Sequence, residues 1–339
     1  MEVGALGWTV TIGLILALLA VDIAQAMRPH EIRFREATAW SVFYIAVALA
    51  FGLVFASVVG WGYGTEYFAG YLVEKSLSVD NLFVFVIIMS VFAVPTEHQH
   101  KILIFGIIAA LVLRAIFIAI GATLIALFSF MFLLFGLLLV GTAVQLYRHR
   151  HEDPDIENNL LVRTSRRLLP VTTDYHGGKL VVTNGGVRMV TPLVIVLIAI
   201  GGTDILFALD SIPAVFGVTE QAYIVFVANA FALLGLRALY FLVTGLLDRL
   251  VYLSTGLAVI LAFIGVKLIL HWGHGVDGRV PEITTPVSLV VIAVVLAVTT
   301  VASLLKVRRD PTARAHAGAV LGAPSRSRAR PRGRRRSRT

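Results

Sequence analysis

Two pairs of acidic residues lie inside long apolar stretches of this sequence. They are Glu74, Asp80, Asp204 and Asp210. In each pair five residues separate the two acids, and a small polar residue, Asn81 or Ser211, follows the second one. Ionisable side chains in hydrocarbon are costly and usually functional. Carboxylate, amide and hydroxyl oxygens are also the ligands that hard divalent cations prefer. These six residues are therefore candidate ligands for a divalent cation.

Four basic residues also lie within the apolar stretches, so each acid has a potential ion-pair partner. They are Lys75, Arg114, Arg237 and Lys267. With equal numbers of acids and bases, ion pairs that only hold the helices together are an open alternative to a cation site. Neutral polar residues near the acids, Thr203 and Asn229 among them, favour the cation site, because a purely structural ion pair does not require them.

The spacing within each pair limits how the acids can act. On a regular helix a step of six residues gives about 9 Å of rise and roughly 120° between side-chain directions. Neither pair can therefore bind one ion from a straight helix, and we expect a site that combines acids from both pairs, with Asp80 and Asp210 as the first choice. We also expect the helix of the second pair to be broken at Gly201 and Gly202 or at Pro213, because freed carbonyls can join an ion site.

The elements that carry these residues are predicted to be transmembrane helices. The chain of 339 residues is 58% hydrophobic and 14% charged, with a mean hydropathy of +0.87, whereas a soluble domain is about a quarter charged. A helix needs roughly 20 apolar residues to cross the bilayer. The sequence predicts an all-α, polytopic membrane protein of about nine spans, at residues 8–26, 38–60, 69–93, 101–123, 128–147, 190–217, 222–245, 250–271 and 284–305.

The basic residues predict the orientation of the spans. With the N-terminus outside, 24 of the 29 Lys and Arg residues fall on the inner side, four lie within spans, and only Arg279 is outside. Loops on the cytoplasmic side carry such an excess of positive charge. An even number of spans would place the first basic block or the tail on the wrong side. The pattern therefore predicts an N-out, C-in protein in a cytoplasmic membrane.

Two groups of three spans have related sequences. Residues 74–82 (EKSLSVDNL) are similar to residues 204–212 (DILFALDSI), and residues 113–117 (LRAIF) are similar to residues 236–240 (LRALY). An odd number of spans inverts the second group relative to the first, as in many secondary transporters. We therefore predict two inverted three-helix repeats, in residues 69–147 and 190–271.

The remaining segments complete the predicted organisation. Residues 1–60 hold two N-terminal helices, residues 148–189 form a cytoplasmic basic loop with a small hairpin near Val181 and Val182, and residues 284–305 form the last span. Residues 306–339 form a disordered, Arg-rich cytoplasmic tail, because their composition cannot bury apolar surface. Its last fifteen residues contain no aromatic side chain for base stacking, so we expect contact with anionic lipid headgroups and no specific nucleic acid.

Several kinds of chemistry have no support in the sequence. The chain has no cysteine, which excludes thiolate metal sites, disulfides and cysteine nucleophiles. It has no Gly-x-x-x-x-Gly-Lys-Ser/Thr pattern for ATP, no His-Glu-x-x-His and no Gly-x-Ser-x-Gly. We therefore expect a protein that is not an enzyme and has no permanently bound cofactor.

Two stretches carry a resemblance to a known family: residues 74–85, EKSLSVDNLFVF, and residues 202–214, GTDILFALDSIPA. They resemble the two signature stretches of the TerC family, the Alx-like integral membrane proteins, which are historically labelled tellurium resistance. The resemblance implies export of manganese, and of other divalent cations, from the cytoplasm. It also implies the ion-binding residues, carried over by position: Glu74, Asp80, Asn81, Asp204, Asp210 and Ser211.

The resulting hypothesis is a secondary exporter of divalent metal cations with Mn²⁺ as the transported ion. Arg114 and Arg237 are expected to pair with acids when no ion is bound. One alternative is a membrane-embedded scaffold that helps to assemble other membrane proteins. Another is a tellurite or oxyanion transporter, which four neighbouring acids disfavour. The coupling ion, the choice between manganese and calcium, and the oligomeric state are left open by the sequence.

Overall fold

The computed structural model describes residues 3–26, 34–149, 160–184, 187–243 and 251–310. Within these ranges it contains eleven α-helices and one two-stranded hairpin. The helices are α1 (Ala5–Ala26), α2 (Phe34–Val59), α3 (Trp61–Val91), α4 (Thr96–Leu127), α5 (Met131–Arg148), α6 (Leu160–Leu168), α7 (Pro192–Phe216), α8 (Ala222–Leu233), α9 (Leu236–Val243), α10 (Leu253–Val276) and α11 (Thr285–Arg309). The strands are β1 (Val181–Asn184) and β2 (Val187–Val190).

Most of these helices are long and apolar enough to cross a membrane. In the described residues, seven meet this criterion alone: α1, α2, α4, α5, α7, α10 and α11. Helices α8 and α9 meet it together as one bent span. Helix α3 has 31 residues but is not among them, because charged residues such as Glu74 and Lys75 interrupt its apolar sequence. The protein is therefore a polytopic helical membrane protein. The ninth span and the N-out, C-in orientation stay predictions.

The broken span lies in a different place from the one predicted. Helix α7 is continuous through Gly201, Gly202 and Pro213, so a break there was a wrong prediction. Glycine lowers helix propensity without forbidding a helix, and a proline removes only one hydrogen bond, which membrane helices tolerate. The break instead separates α8 from α9, which are bent by 42°. Gly235 lies at this point with φ of 76°, a backbone conformation that favours glycine.

Small residues allow the central helices to pack closely. Helix α5 packs along α10, with Gly136 opposite Gly265. A Cβ atom added to Gly136 would lie 2.7 Å from the carbonyl oxygen of Gly265, and one added to Gly265 would lie 2.8 Å from that of Gly136. Helix α3 packs against α8, and α7 packs against α4. These contacts enclose a buried core in which the polar residues of α3, α4, α7 and α8 meet.

The loop between α5 and α7 closes over the end of α3. The hairpin expected near Val181 and Val182 is confirmed, since β1 pairs with β2 in antiparallel register. Upstream of the hairpin, Lys101 Nζ donates a hydrogen bond of 2.7 Å to the Gly178 carbonyl, and the Tyr175 hydroxyl donates one to the Phe92 carbonyl. Residues 306–309, predicted to be tail, continue helix α11. Asp310 caps this helix, and residues 311–339 of the predicted tail lie outside the described residues.

Candidate intramembrane cation site

The guanidinium of Arg114, in the middle of α4, gathers polar groups from three other helices. Its Nη1 contacts a carboxylate oxygen of Glu74 on α3. Its Nη2 lies 3.6 Å from Asp204 Oδ1 on α7, and Nη1 also donates to Asn229 Oδ1 on α8 at 3.4 Å. One arginine thus contacts an acid from each of the two related sequence stretches.

Asn81 completes this group from the same helix as Glu74. With its amide oriented to satisfy both ends, Asn81 accepts a hydrogen bond from Arg114 Nη2 at 3.0 Å and donates one to the Leu77 carbonyl at 3.0 Å. We call the five residues Glu74, Asn81, Arg114, Asp204 and Asn229 the Arg114 cluster. None of them is more than 5% exposed, so the cluster is removed from water and its interactions are weakly screened.

A small cavity of about 10 Å³ lies beside the cluster, which is room for the centre of about one water molecule. Ser78, Asn81 and Asp204 provide its polar lining. The Ser78 hydroxyl and Asp204 Oδ2 are buried and have no hydrogen-bond partner. Buried polar atoms nearly always have partners. Unsatisfied oxygens around a space of this size suit a small hard cation.

Close helix packing explains why these side chains lie at one level. A Cβ atom on Gly106 of α4 would lie 3.2 Å from Ile200 of α7, and one on Gly70 of α3 would lie 3.5 Å from Ala228 of α8. Small residues let membrane helices approach closely enough for polar side chains to hydrogen-bond across the interface. These glycines lie one to three helical turns from the cluster residues of their own helices. By letting the helices approach closely, they bring Arg114 within reach of both carboxylates.

The charges of the cluster do not balance when both acids are ionised. Glu74 and Asp204 together carry two negative charges, and Arg114 supplies one positive charge. Burying an uncompensated charge is strongly unfavourable. A divalent cation bound in place of the guanidinium would neutralise both carboxylates, whereas a monovalent cation would not. A divalent cation therefore matches the two acids only when the positive charge of Arg114 has left the cluster.

The other predicted site residues lie outside this cluster. Asp210 Oδ1 accepts a hydrogen bond of 2.9 Å from Thr142 of α5. Asp80 and Ser211 are buried, and each has a side-chain oxygen without a partner. In the described part of the chain neither Asp80 nor Asp210 forms an ion pair. Since α3 and α7 are continuous helices, the six-residue step separates each of these acids from the one in the cluster. Their joint site stays a prediction.

The remaining predicted charge partners have different neighbours from those expected. Arg237 pairs with Asp22 of α1, whose Oδ1 lies 3.1 Å from Nε and 3.0 Å from Nη2. Lys75 donates to the Ala232 carbonyl at 3.1 Å, next to the break between α8 and α9. Lys267 is buried, lines a cavity near the ends of α7 and α10, and has no ion pair among the described residues.

Sequence reasoning missed Asp22. The count of four acids within the spans was wrong, because Asp22 lies in the first predicted span, at residues 8–26. The signal for Asp22 was a single carboxylate within an apolar run. It was overlooked because the search for intramembrane acids followed the two related stretches, and Asp22 belongs to neither. The pairing also separates the two related arginines, since Arg114 contacts acids of both stretches and Arg237 contacts an acid of neither.

No three histidine or acidic side chains in the described ranges are arranged as a ready metal site. The Arg114 cluster gives a reason, because the guanidinium lies between its two carboxylates. A cation can reach both acids only after Arg114 has moved aside. The geometry thus describes a site whose own positive charge competes with the ligand.

Comparison with known proteins agrees with the signature stretches. The profile of the Integral membrane protein TerC family matches residues 59–311. The chain belongs to the TerC family. An uncharacterized membrane protein of Mycobacterium tuberculosis is 46% identical over 324 residues, which covers 91% of this chain and 81% of the relative. No solved structure has a significant match to this TerC-family protein.

Two further TerC-family relatives have names that refer to a location or a role. A protein of Photorhabdus laumondii, named as a candidate membrane-bound redox modulator, Alx, is 38% identical over 272 residues, covering 76% of this chain and 83% of its own. The thylakoid membrane protein TERC of Arabidopsis thaliana is 42% identical over 228 residues, covering 67% of this chain and 59% of its own.

Proposed function

We propose that this TerC-family protein is a secondary transporter that exports divalent metal cations, with manganese as the main cargo, from the cytoplasm through the Arg114 cluster. The observation that carries the proposal is the sharing of one guanidinium by Glu74 and Asp204. Two buried carboxylates with a single positive partner need one more unit of charge. A divalent cation supplies both units by itself.

The exchange between guanidinium and cation is the central step of the proposed mechanism. Arriving from the cytoplasmic side, the ion binds Glu74, Asn81 and Asp204, and the Ser78 hydroxyl adds a further oxygen. Arg114 withdraws from both carboxylates, past its hydrogen bond to Asn229, until water solvates the guanidinium, because its positive charge has no anionic partner in the cluster once the ion is bound. After release on the outer side, Arg114 returns to the two acids and a proton occupies one carboxyl group. This resets the site without leaving an uncompensated buried charge.

Manganese is favoured by the donor set and by the family resemblance. Carboxylate, amide and hydroxyl oxygens suit hard divalent ions, and the chain has no cysteine to select softer metals. The lack of cysteine also means that thiol–disulfide chemistry cannot occur within this chain. A role related to redox state, as the name of the Alx relative suggests for that protein, would here act through the level of the exported metal.

The helix packing supports an alternating-access architecture. In two inverted repeats, α3 corresponds to α7 and α4 corresponds to α8, so the contact of α3 with α8 and the contact of α4 with α7 are equivalent. The helices α5 and α10 also correspond, and they contact each other through Gly136 and Gly265. We propose that residues 69–147 and 190–271 rock against each other about this contact. Nine spans with the N-terminus outside and the C-terminus in the cytoplasm complete this proposal.

Asp80 and Asp210 are proposed to extend the route of the ion on either side of the cluster. Each is an acid without an ion pair in the described residues, and each lies nearly two turns along its helix from the corresponding cluster acid. In its ionised form, the carboxylate of either residue accepts the ion or a proton in transit. By contrast, the Arg237–Asp22 pair is proposed to fix α1 against α9 and to take no part in ion binding.

The direct test measures cytoplasmic manganese in a manganese-sensitive host. The host would express wild type, Glu74→Gln, Asp204→Asn and, as a matched control, Asp22→Asn at equal membrane levels. The proposal expects low manganese with wild type and Asp22→Asn, and vector-level manganese with the two cluster variants. A scaffold would leave manganese unchanged in all four strains. An oxyanion transporter would change tellurite sensitivity without changing manganese.

A further inference from the structure

A polar cavity of about 460 Å³ opens near the ends of α7 and α10, away from the Arg114 cluster. It is bordered by the link between α7 and α8, residues 217–221, and by the link between α10 and α11, residues 277–284. In the predicted orientation both links lie on the outer side of the membrane. Under the proposed exporter function, an exported ion would leave on this side of the protein.

His271 of α10 connects the two links across this cavity. Its Nε2 lies 3.0 Å from Glu220 Oε1 in the first link, and its Nδ1 lies 2.8 Å from Glu282 Oε1 in the second. The ring also packs edge-on against Phe132 at the start of α5, with centroids 4.7 Å apart. One imidazole thus holds two separate loops in one position. We call His271, Glu220 and Glu282 the outer latch.

The geometry of the outer latch requires a particular protonation state. A neutral imidazole has one N–H donor and one lone pair, whereas the imidazolium has two donors. With a carboxylate oxygen at hydrogen-bond distance from each nitrogen, a neutral ring would direct its lone pair at one of the two anions. Only the protonated ring attracts both carboxylates at once. Histidine is also the side chain whose charge ordinarily changes between about pH 5 and 8.

Two other charged groups, Lys267 and Glu66, also line the cavity. Lys267 lies one turn before His271 on α10 and is only 8% exposed. Glu66 of α3 also lines the cavity, where its carboxylate accepts a hydrogen bond of 2.5 Å from Thr219. Of the three acids in the cavity, Glu66 is held by Thr219 and Glu220 contacts His271. Glu282 contacts His271 and also interacts electrostatically with Lys267. Loss of the proton from His271 would remove the cation that Glu220 and Glu282 share, and only Glu282 would keep the electrostatic interaction with Lys267.

We propose that the outer latch is a proton-binding site that closes the outer opening. When His271 is protonated, the two links are held together over the cavity. When it loses its proton, one link is released and the opening widens. The latch itself stands independently of the cargo, but its effect on transport rests on the proposed exporter function. There, external acid would slow release of the ion and external alkali would speed it.

The latch can be tested without any transport measurement, because the chain has no native cysteine to label. Spin labels on cysteines introduced at Ala222 and Gly278, one near each link, report the distance between the links. The full-length protein in lipid nanodiscs would be compared at about pH 5.5 and about pH 8.5, on either side of the range in which histidine titrates. We expect a narrow distribution at the lower pH and a longer second population at the higher pH.

Two substitutions of His271 and one control variant show whether His271 causes the change in distance with pH. His271→Gln should give the open population at both pH values, and His271→Lys, which keeps a positive charge, should give the narrow distribution at both. His274→Gln is the matched control, because His274 lies on the same helix but bonds to the Val280 carbonyl. It should respond to pH as wild type does. A pH response that survives His271→Gln, or a wild type that shows none, would overturn the proposal.

The same variants then connect the latch to transport in proteoliposomes loaded with Mn²⁺. The latch residues are partly exposed, and ion pairs between exposed groups are weak, so the effect of breaking them should be small. For wild type we expect Mn²⁺ to leave about two- to fivefold faster at the higher external pH. For His271→Gln we expect no effect of pH. If the distances respond to pH but no protein moves Mn²⁺, the latch stands and the exporter proposal fails. If Mn²⁺ moves but the distances do not respond, the exporter stands and the latch fails.

Discussion

Glu74 and Asp204, one from each of two related sequence stretches, meet at the guanidinium of Arg114. Nη1 of Arg114 contacts Glu74, and Nη2 lies 3.6 Å from Asp204 Oδ1. All three side chains are almost completely buried. The relationship joins α3, α4 and α7 at one point and leaves one negative charge without a partner when both acids are ionised.

Removing Arg114 should make the protein depend on a divalent cation for stability. Arg114→Ala leaves two buried carboxylates without their partner, which costs about 3–5 kcal/mol in comparable buried pairs. Mn²⁺ should restore much of this loss, because a ligand that binds only the folded state stabilises it by mass action. The measurement is the midpoint of thermal unfolding in detergent, with and without Mn²⁺, for wild type and variant.

Arg237→Ala is the control for this experiment. It also breaks a buried ion pair, that of Arg237 with Asp22, and should destabilise the protein by a similar amount. Only one carboxylate is left behind, so Mn²⁺ should raise its unfolding midpoint no more than that of wild type. An equal rescue of both variants by Mn²⁺ would contradict a specific site at Arg114.

Glycines between α5 and α10 should not tolerate a methyl group. Gly136→Ala places a Cβ atom 2.7 Å from the Gly265 carbonyl oxygen, and such overpacking typically costs about 1–3 kcal/mol. Gly141→Ala, on the same helix but with no atom within 4 Å, should be neutral or slightly stabilising because alanine favours helix. Denaturant unfolding of both variants measures the difference, and equal stabilities would show that the contact does not matter.

The break between α8 and α9 should depend on Gly235. Its φ of 76° costs about 1–2 kcal/mol for a residue with a side chain, and a Cβ atom would lie 2.5 Å from Tyr44 Cδ2. Gly235→Ala should therefore lower the unfolding midpoint and impair manganese efflux. Gly201→Ala in the continuous helix α7 has no atom within 4 Å and should leave both unchanged. A defect of Gly201→Ala equal to that of Gly235→Ala would refute this assignment of the break.

The acids outside the cluster should act in transport and not in folding. Asp80→Asn and Asp210→Asn each neutralise a carboxylate that has no ion pair in the described residues. We expect normal membrane insertion and unfolding midpoints, but manganese efflux reduced to the vector background. Thr142→Val, which removes only the hydrogen bond to Asp210, should cause a partial loss. Normal efflux by both aspartate variants would remove them from the route.

Much of the helical layout follows from apolar run length alone. Helices α1, α2, α4, α5, α7, α10 and α11 lie where runs of about 20 apolar residues predict spans. The break could not be placed this way, because Gly201, Gly202 and Gly235 look alike in sequence. At Gly235 a neighbouring helix, through Tyr44, presses against the backbone, whereas a Cβ atom on Gly201 would have no atom within 4 Å. That contact is a property of the packed structure and has no local signal.

The candidate site was predictable in its residue types but not in its pairing. Intramembrane position and spacing singled out Glu74, Asn81 and Asp204, which the structure places at Arg114. That Glu74 and Asp80 do not share an ion stays a prediction. Which acid pairs with which base depends on how each helix is rotated about its axis, and the sequence does not determine that rotation. In the structure, Arg114 contacts both Glu74 and Asp204. The pairing of Arg237 with Asp22 was missed because α1 belongs to neither related stretch.

The central claim is that Glu74 and Asp204 bind an exported divalent cation in exchange for Arg114. The most direct measurement is Mn²⁺ efflux from proteoliposomes that contain wild type, Glu74→Gln, Asp204→Asn or Asp22→Asn at equal protein density. The account predicts efflux by wild type and Asp22→Asn, and none above empty liposomes by the two cluster variants. Efflux at the wild-type rate from either cluster variant would contradict it.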